Sequence, residues 1–217
     1  MLWIGLGGLV GFLSGSASAI FLISLDWATS YRENHIWIIA FLPLAGFGIG
    51  WTYYKYGEKS VKGNNLLLEE LYKSQEPIPL RMTPLVLFGT IFTHLFGGSA
   101  GREGTAVQMG GSLADQLTKV FSLPNTDRRL ILIAGVAGGF ASVFGTPLAG
   151  AIFALEWMLH RKFQWKSLFP AFWTGFVAHW VCMYLWGVGH TAYSIPEVAP
   201  HTFTNLLWII PAGIAFG

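Results

Sequence analysis

The sequence has 217 residues, of which 53% are apolar and only 11% are charged, and its mean hydropathy is +0.52. Soluble domains carry roughly a quarter charged residues, so a chain of this composition cannot cover itself with polar surface and is expected to lie in a membrane. The formal net charge of +2 is too small to indicate a nucleic-acid partner.

The first predicted element is a membrane-spanning helix from Leu2 to Leu25, a stretch without any charged residue. About 20 apolar residues suffice to cross the hydrocarbon core of a bilayer. A secretory signal would need a basic first region and a shorter apolar stretch, and the opening residues supply neither. We therefore expect this helix to be retained.

Seven further apolar segments follow along the chain. Several are too short to span a bilayer, and short apolar segments between true spans are typical of re-entrant or broken helices. The connections are short, so residues 1–217 are expected to form a single transmembrane domain. The last segment ends without charges, an aromatic belt or a polar tail, and from this we expect the chain to be a fragment. The segments are Ile36 to Tyr54, Pro84 to Phe96, Val107 to Phe121, Leu130 to Val143, Leu148 to Leu159, Leu168 to Trp186 and Phe203 to Gly217.

Two residue patterns predict packing and orientation. Small residues four positions apart let helix backbones approach closely in lipid. They occur at Gly7, Gly11, Gly15 and Ala19, at Gly46 and Gly50, and at Gly135 and Gly139. Basic residues favour the cytoplasmic side. This predicts a cytoplasmic position for Lys55, Lys59 and Lys62, for Lys119, Arg128 and Arg129, and for Arg161, Lys162 and Lys166, with residues 26–35 and 187–202 outside.

The most informative sequence is the glycine-rich stretch from Gly97 to Gly111, which interrupts the apolar pattern with Arg102 and Glu103. An ionisable residue between membrane segments is a functional candidate, because it is costly unless it faces a cavity or a partner. A helix is expected to begin here, and the free N–H groups of its first turn would bind an anion at the positive end of the helix dipole. Those N–H groups belong to Gly104, Thr105, Ala106 and Val107. An ionised Glu103 would compete for them and block the site, and a protonated Glu103 would swing away.

A second interruption lies between Ser60 and Leu71, where Gly63 is followed by Asn64 and Asn65. Gly and Asn suit a turn and a helix start, and either Asn can cap the helix. This predicts a second helix N-terminus that points at the same anion. Lys62 would add a full positive charge beside it.

The run Gly101-Arg102-Glu103-Gly104-Thr105 resembles the signature of the CLC family of anion channels and transporters, in which a basic residue, Glu, Gly and usually Pro open a pore-lining helix. The stretch from Gly138 to Met158 is similar to the helix pair that follows that signature. The resemblance covers nearly the whole chain. It implies an all-α CLC-type fold with tilted and re-entrant helices, of which this chain supplies the first of two inverted repeats.

Three positions depart from the family pattern. Chloride-selective members have a Ser hydroxyl at the position of Lys62 and Pro at the position of Thr105. The Asn pair and the Gly-Arg-Glu-Gly-Thr form resemble the branch that exports fluoride in exchange for protons, although that branch commonly has Met where Lys62 stands. In chloride/proton exchangers an inner Glu relays protons, and the matching residue here is Trp157, with Glu156 just before it.

The resemblance implies transport rather than enzymatic activity, with fluoride or chloride exchanged for protons through the gating Glu103. Family members are dimers, so a homodimeric multi-pass protein in the bilayer of a bacterial inner membrane is expected. A passive chloride channel of the same fold and a non-transporting half-length fragment or subunit remain alternatives. The implied anion-binding residues are Lys62, Gly63, Asn64, Asn65, Gly101, Arg102, Gly104, Thr105, Ala106 and Val107.

Several of these residues also have a purely structural interpretation. Glu103 could cap a helix and pair with Arg102, Lys62 could be an ordinary cytoplasmic-edge lysine, and the two Asn residues could serve only as caps. Glu156 fits an interfacial carboxylate better than a relay. The lone Cys182 offers neither a disulfide nor a thiolate cage, and no ligand spacing occurs elsewhere, so neither a metal nor a cofactor is expected.

Overall fold

The computed structural model describes residues 2–74, 76–159, 164–189 and 207–216, and the regular structure within these ranges is entirely helical. The α-helices are α1 (Leu2–Asn34), α2 (Leu42–Tyr56), α3 (Asn64–Lys73), α4 (Met82–Leu95), α5 (Arg102–Val120), α6 (Asn125–Phe144), α7 (Pro147–Leu159), α8 (Leu168–Trp180) and α9 (Ile209–Phe216). Short 3₁₀ helices occur at Ile36–Phe41, Glu58–Lys62 and Trp165–Ser167, and a π-helical turn, Val181–Leu185, extends α8. The expected all-α fold is confirmed.

In the described part of the chain, three helical stretches are long and apolar enough to cross a membrane, namely Leu2–Asn34, Ile36–Tyr56 and Trp165–Leu185. The apolar helices Met82–Leu95 and Pro147–Trp157 are shorter. Two of the short apolar segments in the sequence therefore form short helices, as predicted. Elements of this length suit the re-entrant or broken helices that line cavities in membrane proteins.

The first helix is longer than its apolar sequence predicts. We expected the helix to end at Leu25 and residues 26–35 to form an external connection, but α1 continues to Asn34. No Gly or Pro interrupts this stretch, so nothing in the backbone stops the helix. The extension also has a partner, because Arg32 Nη1 donates to the carbonyl oxygen of His94 at 2.9 Å, in the last turn of α4.

Helix α6 is the centre of the packing and contacts α1, α5, α7 and α8. All of its residues from 130 to 139 are buried. A Cβ on Gly139 would lie 2.8 Å from the carbonyl carbon of Ala106, and a Cβ on Gly110 would overlap with the backbone of Gly135. The small residues predicted at Gly135 and Gly139 therefore do bring α5 and α6 into backbone contact.

The glycine ladder of α1 is confirmed as well, since it faces α8. A Cβ on Gly11 would lie 2.7 Å from Cβ of Val177, and Ala19 is fully buried. The pair Gly46 and Gly50 behaves differently, because no atom lies within 4 Å of a Cβ placed on either residue. The close packing predicted there does not occur within the described residues, where α2 buries none of its side chains.

Arg128, which the sequence pattern groups with the basic residues of a cytoplasmic connection, is instead a buried residue of a helix, and its side of the membrane stays a prediction. It lies in the first turn of α6 with only 4% of its surface exposed. Its Nε and Nη2 donate to the two carboxylate oxygens of Asp115 on α5, at 2.7 and 2.8 Å, and its Nη1 donates to Glu70 on α3 at 3.1 Å. A cation can be buried when carboxylates pair with it and accept its hydrogen bonds.

Some predictions concern parts of the chain outside the described residues. These are the cytoplasmic position of Arg161 and Lys162, most of the external stretch 187–202, and the start of the last apolar segment at Phe203. The sidedness of the remaining connections stays a prediction. The lone thiol of Cys182 is buried in the π-helical turn that follows α8.

Candidate functional site

The N-termini of α3 and α5 meet, as the two sequence interruptions predict. Gly63 precedes α3 in a left-handed conformation with φ of 57°, which a residue with a side chain rarely adopts. A Cβ placed on Gly63 would lie 3.4 Å from Nε2 of Gln108, and one on Gly104 would lie 3.6 Å from Nδ2 of Asn64. Gly63, Asn64, Gly104 and Gln108 therefore surround one location.

Neither helix start is capped by a side chain. The N-cap of α3 is Gly63 and the N-cap of α5 is Gly101, so the prediction that Asn64 or Asn65 caps α3 is wrong. The reason is that α3 already begins at Asn64. The first N–H groups of both helices keep their hydrogen-bonding capacity, and two helix dipoles direct their positive ends to this place.

Two side-chain carboxamides lie at this junction. Gln108 Nε2 lies 3.7 Å from the position that a Cβ on Gly104 would take, one helical turn along α5. Asn64 Oδ1 is buried without a hydrogen-bond partner. A buried amide oxygen without a hydrogen-bond partner costs free energy, so this arrangement is more typical of a functional site than of a packing contact.

Gln108 is a residue that the sequence interpretation did not single out. It stands inside the motif, but it is neither charged nor one of the first residues of the helix. The signal that could have identified it is its spacing, because residues four positions apart share one helix face. Gly104 has no side chain of its own, so Gln108 is the side chain that fills this face of α5.

Glu103 is exposed in the first turn of α5. Its Oε2 lies only 2.9 Å from the position that a Cβ on Gly101 would take, so the glycine makes room for the folded-back carboxylate. Among the described residues no ion pair joins Glu103 to Arg102, and the structural interpretation of Glu103 as a paired cap gains no support. The carboxylate lies at the helix end where an anion would compete with it.

Thr105, Ala106 and Val107 are buried, and their side chains face helices rather than the junction. The Thr105 hydroxyl lies 2.7 Å from the hydroxyl of Thr90 on α4 and donates to the carbonyl oxygen of Gly101 at 3.3 Å. The residue that stands where the family usually has Pro thus ties α5 to α4, which Pro has no hydroxyl to do. Because α5 begins at Arg102, the N–H groups of these three residues donate within the helix, so the free donors of this helix start are those of Arg102, Glu103 and Gly104 and the prediction for residues 105–107 is wrong.

Lys62 forms an ion pair with Glu69, and the distance between Nζ and Oε2 is 2.6 Å. Both side chains are about half exposed at the edge of α3. The hydrogen bond from Lys62 lowers the pKa of Glu69 below its ordinary value. Lys62 ends the 3₁₀ helix before α3, and its positive charge is therefore largely neutralised by Glu69 of α3, whereas Asn65 is exposed.

Arg102 lines a cavity of about 320 Å³ next to this junction. Asp26 and Thr29 of α1 and Trp186 after α8 also line it, so both charged and apolar groups face the space. Glu156 is exposed on α7, and Trp157 packs against Phe153. Within the described residues no group of three or more His, Cys, Asp or Glu side chains could hold a metal ion.

Comparison with known proteins agrees with this geometry. Residues 45–217 match a family described as "Voltage gated chloride channel". The chain is 53% identical over 215 residues to a chloride/fluoride channel protein of Pseudomonas syringae pv. tomato, covering 99% of this chain and 47% of that protein.

Solved structures resemble the chain over the same extent. The crystal structure of a CLC-type fluoride/proton antiporter matches with a TM-score of 0.89 and 35% identity, over 99% of this chain and 54% of that one. A slow cyanobacterial Cl⁻/H⁺ antiporter shares the fold, with a TM-score of 0.79, 21% identity and the same two coverages. The chain thus spans about half the length of the relatives it matches.

Proposed function

This chain belongs to the voltage-gated chloride channel family, the CLC family of membrane transporters and channels, and from that premise we propose that it forms the first half of an anion/proton exchanger gated by Glu103. The observation that carries the proposal is the meeting of α3 and α5. Two uncapped helix N-termini and two carboxamide side chains surround one location, and the carboxylate of Glu103 lies at its edge.

The chemistry of this arrangement is anion binding by neutral donors. Backbone N–H groups at two helix starts supply hydrogen bonds and partial positive charge without a fixed cation that would hold the anion permanently. The carboxamide N–H groups of Asn64 and Gln108 add donors from the side. We assign the anion to the backbone N–H groups of Asn64 and Asn65 and to those of residues 102–104, which lie at the two helix starts.

Glu103 serves as the gate because its carboxylate and the transported anion compete for the same donors. When ionised, it occupies the positive end of α5; when protonated, it loses that attraction and releases the site. Glu103 takes up this proton on one side of the membrane and gives it up towards the opposite side. The movement of protons is thereby coupled to the movement of anions. Gly101 supports this role by leaving space for the carboxylate to turn.

Fluoride is the anion that we favour over chloride. The relative from Pseudomonas syringae is named for chloride and fluoride, and the solved antiporter with 35% identity is named for fluoride. The chain has Lys62 rather than Ser at the position of the chloride-selective hydroxyl, and the pair Asn64 and Asn65 that follows resembles the fluoride-exporting branch. Lys62 attracts the anion only with the part of its positive charge that Glu69 does not neutralise. Arg102 attracts anions electrostatically into the neighbouring cavity that it lines.

The working protein is expected to be a single transmembrane unit per chain that assembles as a homodimer in a bacterial inner membrane. A passive channel is the second candidate, and two observations favour it. The relative from Pseudomonas syringae is named a channel, and by the family resemblance Trp157 stands where chloride/proton exchangers carry an inner Glu. The exchanger and the passive channel are distinguished only by whether protons move with the anion.

The test is anion efflux from liposomes that contain the full-length protein, with fluoride and chloride electrodes and an external pH electrode recorded together. Fluoride efflux with opposed proton movement is the expected result. Fluoride or chloride efflux without proton movement would establish the channel instead. No anion flux at all would refute the assignment of a transport site.

A matched pair of variants tests the site itself. Gln108→Leu removes a carboxamide from the junction at nearly constant volume and is expected to raise the fluoride KM about tenfold, since a donor to the anion is lost. Gln116→Leu on the same helix removes a carboxamide that bonds only the carbonyl oxygens of Ile78 and Ser112. An equal KM for both variants would remove Gln108 from the anion site.

A further inference from the structure

The buried cluster of Arg128 joins three helices at the end of α5 remote from Glu103. The guanidinium of Arg128, on α6, bonds both carboxylate oxygens of Asp115 on α5 and one oxygen of Glu70 on α3. Its Nη2 also donates to the carbonyl oxygen of Glu76 at 2.7 Å, and its Nη1 lies 3.4 Å from the hydroxyl of Ser74. One side chain thus binds α3, α5 and the connection that follows α3.

The two carboxylates of the cluster have further donors. Ile78 N–H donates to Asp115 at 2.6 Å, and Glu76 N–H donates to Glu70 at 2.9 Å. Asp115 is fully buried, and Glu70 is 8% exposed. A buried ionic cluster is stable only when its members are paired and hydrogen-bonded, and a fully bonded cluster of this kind rigidifies the elements that it joins.

The cluster holds the C-terminal part of α3. This helix has only ten residues, and thus a length of about 15 Å. Its middle is seated at Leu67, whose Cγ lies 3.2 Å from the position of a Cβ on Gly111 of α5. The C-terminal part is held by Glu70, and the N-terminal residue is Asn64. A helix seated at its middle transmits a displacement at one end to the other end.

We propose that Arg128 is a positioning residue, which sets the spacing between the N-termini of α3 and α5 and thereby the anion affinity of the site between them. This inference rests on the proposed function. Arg128 touches neither the anion nor Glu103. It acts through Glu70 and the body of α3, because a displacement of roughly 1 Å at a binding group is enough to alter a site strongly.

The test uses three variants of the full-length protein in liposomes, each compared per folded molecule. Arg128→Lys keeps the charge but loses the planar fork that binds Asp115 with two bonds. Glu70→Ala removes the ion pair between Arg128 and α3 and the bond from Glu76 N–H, and it keeps the two bonds from Arg128 to Asp115. Lys119→Gln is the control, since it removes an exposed cation at the same end of α5.

We expect Arg128→Lys and Glu70→Ala to raise the fluoride KM about fivefold to tenfold while kcat changes by less than about twofold, with no change of KM in Lys119→Gln. A merely structural cluster would lower the yield of folded protein and leave KM unchanged. If Arg128→Lys fails to fold, Glu70→Ala decides alone. An unchanged KM in the folded variants overturns the inference. Absence of anion flux in the unmodified protein refutes the proposed function, and the inference with it.

Discussion

One added methyl group at Gly139 tests the contact between α5 and α6. Its Cβ would lie 2.8 Å from the carbonyl carbon of Ala106. Carbon atoms pack best at about 3.5–4.0 Å, so the two backbones must separate by about 0.7 Å or more. Backbone atoms cannot change rotamer, and overpacking of this kind costs about 1–3 kcal/mol, against which the better helix propensity of Ala returns about 1 kcal/mol. Gly139→Ala is therefore expected to lower the free energy of unfolding by up to about 2 kcal/mol.

The assay is reversible unfolding in mixed micelles with increasing SDS, followed by tryptophan fluorescence. Gly46→Ala is the matched control, because no atom lies within 4 Å of its added Cβ. This control is expected to equal the unmodified protein or to exceed it by up to about 1 kcal/mol. If Gly139→Ala were as stable as Gly46→Ala, the backbones of α5 and α6 would not meet at Gly139, and the close contact inferred there would be wrong.

Results for four further variants are expected. Glu103→Gln abolishes proton movement while anion flux persists, because a carboxamide does not take up and release a proton as a carboxylate does; unchanged proton flux would contradict the gating role. Glu69→Gln frees the charge of Lys62 and strengthens fluoride binding about twofold to fivefold, and Lys62→Met changes the ratio of fluoride to chloride flux more than it changes folding. Unchanged ion ratios in both variants would place Lys62 outside the anion path. Thr105→Val leaves the Thr90 hydroxyl without its partner, which lowers the free energy of unfolding by about 1–3 kcal/mol; equal stability would show that water replaces the bond.

The ion pair of Lys62 and Glu69 also has a defined pH range. Because the folded pKa of Glu69 is lowered, the stabilisation by this pair is complete above the ordinary carboxyl pKa and is lost only as the pH falls through the lower folded value. The pair should therefore persist at about pH 5. Fluoride flux between pH 7 and about pH 5 should follow the same profile in the unmodified protein and in Glu69→Gln; a profile that differs would assign part of the pH dependence to this pair.

Local signals were sufficient to predict the helices and the junction. Glycine followed by a polar residue and then an apolar run indicates a helix start, and both starts lie where that pattern predicts them, at Asn64 and Arg102. The small-residue spacing predicted the contacts of α6 and α1. These features depend on residues within a few positions of each other, which is why a sequence without its structure reveals them.

Features that depend on distant partners were missed. Arg128 was grouped with the basic residues of a connection because Glu70 and Asp115, which neutralise it, are not its neighbours in the sequence. The extension of α1 was missed because charged residues usually end a membrane segment, whereas Arg32 has a carbonyl partner on α4. Gly46 has the four-residue spacing that is typical of helix contacts, but no described residue lies against it. The spacing of small residues therefore does not by itself show that a helix packs there.

The burial of α6 has a consequence for how the chain is made. Neither α5 nor α6 is among the described helices that are apolar enough to cross a membrane unaided. Helix α6 is covered by α1, which is synthesised before it, and by α8, which is synthesised after it. Its enclosure is therefore completed only when α8 has emerged from the ribosome. Until α8 is made, the membrane-insertion machinery must keep the glycine-rich surface of α6 out of contact with lipid. A chain whose synthesis ends before α8 should therefore stay bound to that machinery or be degraded.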